Sequence, residues 1–159
     1  MTIARFVGAA TASLALIVSV SNGAKAADSL NGADGFVGQW LTQDKDGIFE
    51  IKPCGQALCG WLVGLDYTDE VPRDFEGRSE CRLEMLTDFT PIDDRRWQGR
   101  ILDPRSGHSY QARIWKDGPQ VLKLRGFVLG VPLLGSTQKW TRYDGPAVDT
   151  ECHMVKTSQ

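Results

Sequence analysis

From Phe36 to Tyr143 the chain reads as short apolar or alternating runs, broken every ten residues or so by Gly, Pro, Asn or Asp. No amphipathic helix survives that punctuation, because a helical stripe needs a longer uninterrupted 3.6-residue period. The rhythm predicts antiparallel strands over 36–43, 48–52, 58–65, 82–87, 96–102, 109–116, 121–127 and 137–143. Asp46-Gly47, Asp103 to Gly107 and Lys116 to Pro119 supply residues that accept positive φ or preset a bend, as tight hairpins require. The expectation is therefore an all-β, eight-stranded up-and-down antiparallel barrel, with a two-sheet β-sandwich as the alternative. Closure removes the unpaired edges of an open sheet, and a barrel of about eight strands either fills with side chains or holds one small ligand.

Two segments interrupt the rhythm. Asp66 to Glu80 (DYTDEVPRDFEGRSE) is polar and long for a hairpin, and reads as a solvated loop or a lid. Val128 to Leu134 (VLGVPLL) is apolar, yet Gly130 and Pro132 disfavour a regular strand; it reads as a plug for one barrel end. Residues 27–35 and 153–159 read as loose ends.

Side-chain alternation assigns faces. Gly38, Trp40 and Thr42 share a side, as do Cys59, Trp61, Val63 and Leu65; further rows are Trp97, Gly99 and Ile101, Tyr110, Ala112 and Ile114, and Leu122, Leu124 and Gly126. In the last strand Trp140 shares its side with Arg142. Large rings alternating with glycine suit a tapered barrel interior. Candidate ligand-binding residues are Trp40, Trp61, Tyr110, Arg125 and Trp140, with a ring against an apolar ligand and Arg125, Tyr110 or a tryptophan holding its polar end.

The N-terminal stretch MTIARFVGAATASLALIVSVSNGAKA has one early cation, an apolar run rich in small residues, and Ala24-Lys25-Ala26 as a small-x-small cleavage site. It reads as a signal peptide, residues 1–26. A single domain over 27–159 then remains, with an ordered core at about 36–152, and the product is periplasmic or secreted with no transmembrane span once the leader is gone. Loss of Arg5 and Lys25 with the leader takes 18 basic residues to 16 against 20 acidic ones, a net charge of −4. That balance disfavours nucleic acid and simple docking on anionic membranes.

All four cysteines, Cys54, Cys59, Cys81 and Cys152, fall in the exported part, where an even count reads as disulfides. Cys54 and Cys59 flank a turn between apolar strands, so the favoured pairing is Cys54–Cys59 with Cys81–Cys152, out of three combinations. A thioredoxin-type redox pair would have two intervening residues rather than four. Zinc needs more closely spaced ligands than the separated His108 and His153 provide, so no metal site is expected. No nucleophile elbow, metalloprotease helix, phosphate-binding loop or dinucleotide fingerprint is present. Asp66, Asp69, Glu70, Asp93, Asp94 and Asp103 sit in polar turns and suit solvated charges better than a glycosidase pair, and His108 reads as a turn residue. The chain is thus read as non-enzymatic, with no cofactor.

Several motifs in order resemble a family of small exported bacterial proteins known as DUF2147. They are Gly38 to Thr42 (GQWLT), Ile51 to Gly55 (IKPCG) with Leu58-Cys59-Gly60, Trp97 to Pro104 (WQGRILDP) with Gly107 and Tyr110, Leu122 to Phe127 (LKLRGF), and Leu134-Gly135 through Trp140-Thr141-Arg142. The resemblance implies a lipocalin-like barrel binding a small hydrophobic or amphipathic molecule as a carrier or sensor; the alternative is an envelope or extracellular interaction module with a filled barrel. It supplies no catalytic residue. Gly38-Gln39-Trp40 with Arg142 is similar to the lipocalin pattern in which a C-terminal arginine lies across a tryptophan closing the barrel, held by cation–π attraction. The chain departs from the family at Asp69 to Phe75, where an Asn-Pro-Asp and arginine-rich stretch is usual, and at Arg82, where a glycine is common after the third cysteine.

Overall fold

A computed structural model describes residue 30 and residues 32–127 and 135–154. Its strands are β1 (Gly38–Leu41), β2 (Gly47–Cys54), β3 (Ala57–Leu65), β4 (Glu84–Pro91), β5 (Arg96–Leu102), β6 (Ser109–Lys116), β7 (Val121–Gly126) and β8 (Thr137–Arg142). Each pairs antiparallel with the next, and β8 returns to β1 through Trp40 opposite Arg142 and Leu41 opposite Thr141. The sheet is a closed eight-stranded barrel, as the turn rhythm predicts, and the sandwich alternative is set aside.

Strand limits move for local reasons. The first strand ends early because the Thr42 hydroxyl accepts from the Asp46 and Gly47 amides and donates to the Asp46 carboxylate, folding the chain over. The fourth, expected over 82–87, starts later and continues to Pro91. It passes an irregularity between Thr87 and Thr90, where Asp88 takes φ 56°. Proline ends that strand, consistent with its missing N–H.

The core is the barrel interior, from Trp40, Phe49 and Ile51 round to Leu122, Leu124 and Trp140. Glycine makes room for it at two places. A Cβ on Gly99 would lie 2.6 Å from the Phe89 ring, and one on Gly60 would lie 2.7 Å from Leu86 Cδ1.

The face assignment of β3 is reversed for Cys59, Trp61 and Val63, which point out while Leu58, Gly60 and Leu62 point inward. Past the register shift at Ile48/Phe49, Leu65 packs in the core as expected. The inward row gives a place to Gly60 so that Leu86 from β4 can fill it, which leaves the outward row looking the more apolar in sequence. Trp61 instead lies outside under the Lys52 ammonium, 4.6 Å from its ring centroid.

Segment 66–80 is neither loose nor merely solvated. Asp74 is buried and accepts the Glu76 and Arg78 amides and the Arg78 guanidinium, folding 74–78 into a tight turn. The Phe75 amide then donates to the Pro104 carbonyl, tying this turn to the β5–β6 connection.

The ends are also more structured than expected. Ala33–Gly35 forms a 3₁₀ turn with Ala33 buried, and after Cys152 the tail pairs His153 with Leu65 in parallel. The leader and the Val128 to Leu134 segment, expected as a plug, lie outside the described residues.

Candidate functional site

The two barrel ends differ. One carries the β2–β3, β4–β5 and β6–β7 turns together with the 3₁₀ turn, and it is shut by interlocking rings and cations. Trp40 is fully buried and its indole N–H donates to the Phe36 carbonyl at 2.7 Å, while the Phe36 ring packs 5.6 Å from that of Trp97. The Arg142 guanidinium lies 3.9 Å above the Trp40 ring and donates to the Val37 carbonyl at 2.6 Å and the Gly35 carbonyl at 3.1 Å.

Gly38 is required beneath it. Its φ is 122°, and a Cβ there would fall 2.5 Å from Arg142 Nη1. Lys116 approaches the same indole at 4.7 Å and donates to the Gly35 and Pro119 carbonyls. Burial, and then the neighbouring Arg142 charge, hold its ammonium below the usual lysine range.

The opposite end is the mouth. There the β1–β2 turn, the start of β8 and the 66–83 loop surround a cavity of about 240 Å³. Phe49 and Trp140 stack at 4.6 Å with a 21° interplanar angle and, with Leu62, Met85 and Ile101, give it an apolar lining. The polar rim is Thr42, Asp44, Asp46, Glu80 and Gln138, the last accepting the Trp140 indole N–H at 2.7 Å. Glu80 is a half-buried carboxyl at this rim. Burial pushes it above the usual carboxylate range, Arg105 opposes that, and Asp74 and Asp103 add to it.

Glu80 is held by the chain on both sides. Its amide donates to the Pro72 carbonyl at 2.8 Å, and the next residue, Cys81, is bonded to Cys152. The tail bearing Cys152 runs beside β3, with the Leu65 amide donating to the Cys152 carbonyl and the Met154 amide to that of Leu65. Tail, disulfide and loop therefore fix where this carboxyl sits. Cys54–Cys59 is the second disulfide, across the β2–β3 turn at the shut end.

Of the five residues singled out from the sequence, only Trp140 lines the mouth. Trp40 is at the shut end, Trp61 and Arg125 are on the outer wall, and Tyr110 is an exposed rim residue on the row of Ile101, opposite it in register. Phe49, Met85 and Glu80 were missed. Phe49 was legible as the register neighbour of Trp40, whereas Met85 sits in a break of the β3–β4 register and Glu80 in a loop whose course is set by long-range bonds.

Two of the carboxylates singled out from the sequence, Asp93 and Asp103, act as turn staples. Asp93 accepts the Arg95 and Arg96 amides and the Arg96 guanidinium, which lower it below the usual range. Asp103 is lowered by the Ser106 hydroxyl and the Arg105 amide.

The family profile described as "Uncharacterized protein conserved in bacteria (DUF2147)" matches residues 38–142, the span from Gly38 to Arg142 that begins and ends at the shut end.

The chain belongs to the DUF2147 family.

The barrel is also similar to a solved structure described as "Protein HP1028 from the human pathogen Helicobacter pylori belongs to the lipocalin family". The TM-score is 0.60 at 16% identity, over 68% of this chain and 82% of that one. At that identity the likeness speaks for the fold, a lipocalin-like barrel. No curated protein matches the chain. In this DUF2147 member the lipocalin-like pairing of tryptophan and arginine at the shut end is present as Trp40 and Arg142. No helix among the described residues is long and apolar enough to cross a membrane.

Proposed function

We propose that this DUF2147 protein is an exported, non-catalytic carrier or sensor that holds a small amphipathic molecule at the barrel mouth. The observation that carries the reading is a cavity of about 240 Å³ with a Phe49–Trp140 floor and Glu80 at its rim. Lipocalin-like barrels and similar folds place ligands in their mouths, against apolar walls with a few polar groups to orient them. The space is smaller than the ~300 Å³ at which small-molecule pockets usually begin, so the ligand is small or only partly enclosed. Below the floor the barrel is packed with rings and branched side chains, which supports a shallow site over a deep one. Export is supported by two disulfides, no free cysteine among the described residues, and the leader-like N-terminus.

The rim chemistry narrows the ligand. Arg125 lies on the outside, and the polar groups at the mouth are the carboxylates Asp44, Asp46 and Glu80 with neutral Thr42 and Gln138. The ligand's polar end is thus a hydrogen-bond donor or a cation, with its apolar part over Trp140. The test is tryptophan fluorescence titrated with an alkylamine, its matching alcohol and its matching carboxylate. Saturable quenching by amine and alcohol, weaker for the carboxylate, is expected; no saturable response to any of the three would refute the reading.

A further inference from the structure

The outer wall opposite the tail is one-sided in charge. On β5 to β8 the outward positions include Arg96, Arg100, Arg113, Lys123, Arg125 and Lys139, and no acidic residue. Register places Arg113 directly opposite Arg125, and Lys123 directly opposite Lys139. Like charges facing each other across antiparallel strands destabilise a sheet, so two neighbouring pairs oppose the fold rather than support it. The net negative charge of the chain conceals this segregation.

Part of this wall is concave. A cleft of about 470 Å³ is lined by Arg95, Arg96, Arg113, Lys116 and Arg125 with the Trp115 ring. The volume falls within the usual range of small-molecule sites. Arg113 is oriented by neutral groups: its Nε donates to Gln98 Oε1 at 2.8 Å and its guanidinium lies 5.1 Å from the Phe127 ring centroid. Arg125 donates to the Thr137 hydroxyl. The nearby carboxylates are peripheral, Asp93 on Arg96 and Asp117 at 3.7 Å from Lys123.

We propose that this cleft binds a small phosphate-bearing anion. Lys116 reaches the edge of the cleft with its ammonium held by the Gly35 and Pro119 carbonyls. The four arginines exceed what one carboxylate would engage, whereas a phosphate monoester carries close to two charges at neutral pH and accepts paired guanidinium hydrogen bonds. Trp115 offers a flat apolar wall to whatever carries the phosphate. The site is on the opposite surface of the sheet from the mouth cavity and stands without it.

The experiment uses the disulfide-intact protein in low-salt buffer, with Arg113→Gln/Arg125→Gln and Glu80→Gln variants beside it. Inorganic pyrophosphate is titrated by calorimetry and intrinsic tryptophan fluorescence, and phosphatidylglycerol vesicles are compared with phosphatidylcholine vesicles by co-sedimentation. Saturable pyrophosphate binding, weakened at least ~10-fold in the double variant and unchanged in Glu80→Gln, supports a soluble phosphate source. Selective binding of phosphatidylglycerol with the same variant pattern supports a lipid headgroup source. If the double variant does not fold, Arg95→Gln serves, with weakening of about threefold or more expected for loss of one exposed charge. Absence of wild-type binding in both arms, an equal response to chloride at matched ionic strength, or binding unaffected by the arginine changes would overturn the proposal.

Discussion

Replacement of Arg142 by methionine keeps an unbranched apolar stem over Trp40 while removing the charge and the donors. Three interactions are lost: hydrogen bonds to the Val37 and Gly35 carbonyls, and the cation 3.9 Å above the indole. A hydrogen bond from a charged group contributes roughly 1.5–3 kcal/mol. Here one is part-buried and the other exposed, so the lower figure for the first and less for the second give about 2 kcal/mol together. Cation–π attraction adds ~1 kcal/mol for a partly buried pair. The expected loss is therefore about 3 kcal/mol, near 10 °C in Tm for a domain of this size. Removal of Arg142 also relieves Lys116 of a neighbouring charge, so the lysine pKa moves back towards its usual range and Lys116 retains its own place on the ring. Urea unfolding under non-reducing conditions, followed by tryptophan fluorescence and repeated in a Trp40→Leu background, measures the loss and its coupling to the ring. Coupling of about 1 kcal/mol is expected. A variant within ~0.5 kcal/mol of wild type would show that the shut end does not rest on this arginine.

Arg82 has φ 64°, the left-handed region that costs a side-chain residue about 1–2 kcal/mol, so Arg82→Gly should leave stability unchanged or raise it by up to ~1 kcal/mol after the greater entropy of the unfolded chain, read from the urea midpoint. The Cys81→Ala/Cys152→Ala pair releases a bond spanning 71 positions and should cost about 4 kcal/mol on the chain-entropy scale, against ~2 kcal/mol for Cys54→Ala/Cys59→Ala across five positions. Equal losses would contradict the role given to the tail. Glu80 titrates above its usual range in the folded protein, so its contribution to stability is present below the ordinary glutamate pKa and is lost as pH rises through the raised value. Glu80→Gln should accordingly raise Tm at neutral pH, with the gain vanishing in acid. Asp93 and Asp103 act in the opposite sense: their stabilisation is present above the ordinary aspartate pKa and is lost as pH falls through the lowered values, which Asp93→Asn and Asp103→Asn should flatten in a Tm-versus-pH profile.

Barrel closure and strand order were legible from period-2 alternation and short turns, whereas the Trp40–Arg142 contact, which joins the first and last strands, was legible only through the resemblance to the lipocalin pattern. Where β3 was reversed, the cause was cross-strand: Gly60 is inward because Leu86 occupies its space, a relation no single strand encodes. The mouth was less legible for the same reason. Its floor pairs Phe49 from β2 with Trp140 from β8, and its rim carboxyl comes from a loop fixed by Asp74, by Pro104 and by a disulfide to the C-terminal tail. Net charge gave the wrong impression of the surface, since it sums over a molecule whose acids cluster at turns and mouth while its arginines and lysines line one wall. Nor does the residue at position 82 announce that its backbone is left-handed, since arginine is not a residue that favours this region.

Native mass spectrometry of the protein purified without denaturation from its own host tests the proposed ligand at the mouth. A bound species of small mass, donor-bearing or cationic, is expected, released when Trp140→Ala opens the floor and weakened by Glu80→Gln. A bare protein mass across independent preparations, or an adduct that survives both changes, would contradict it.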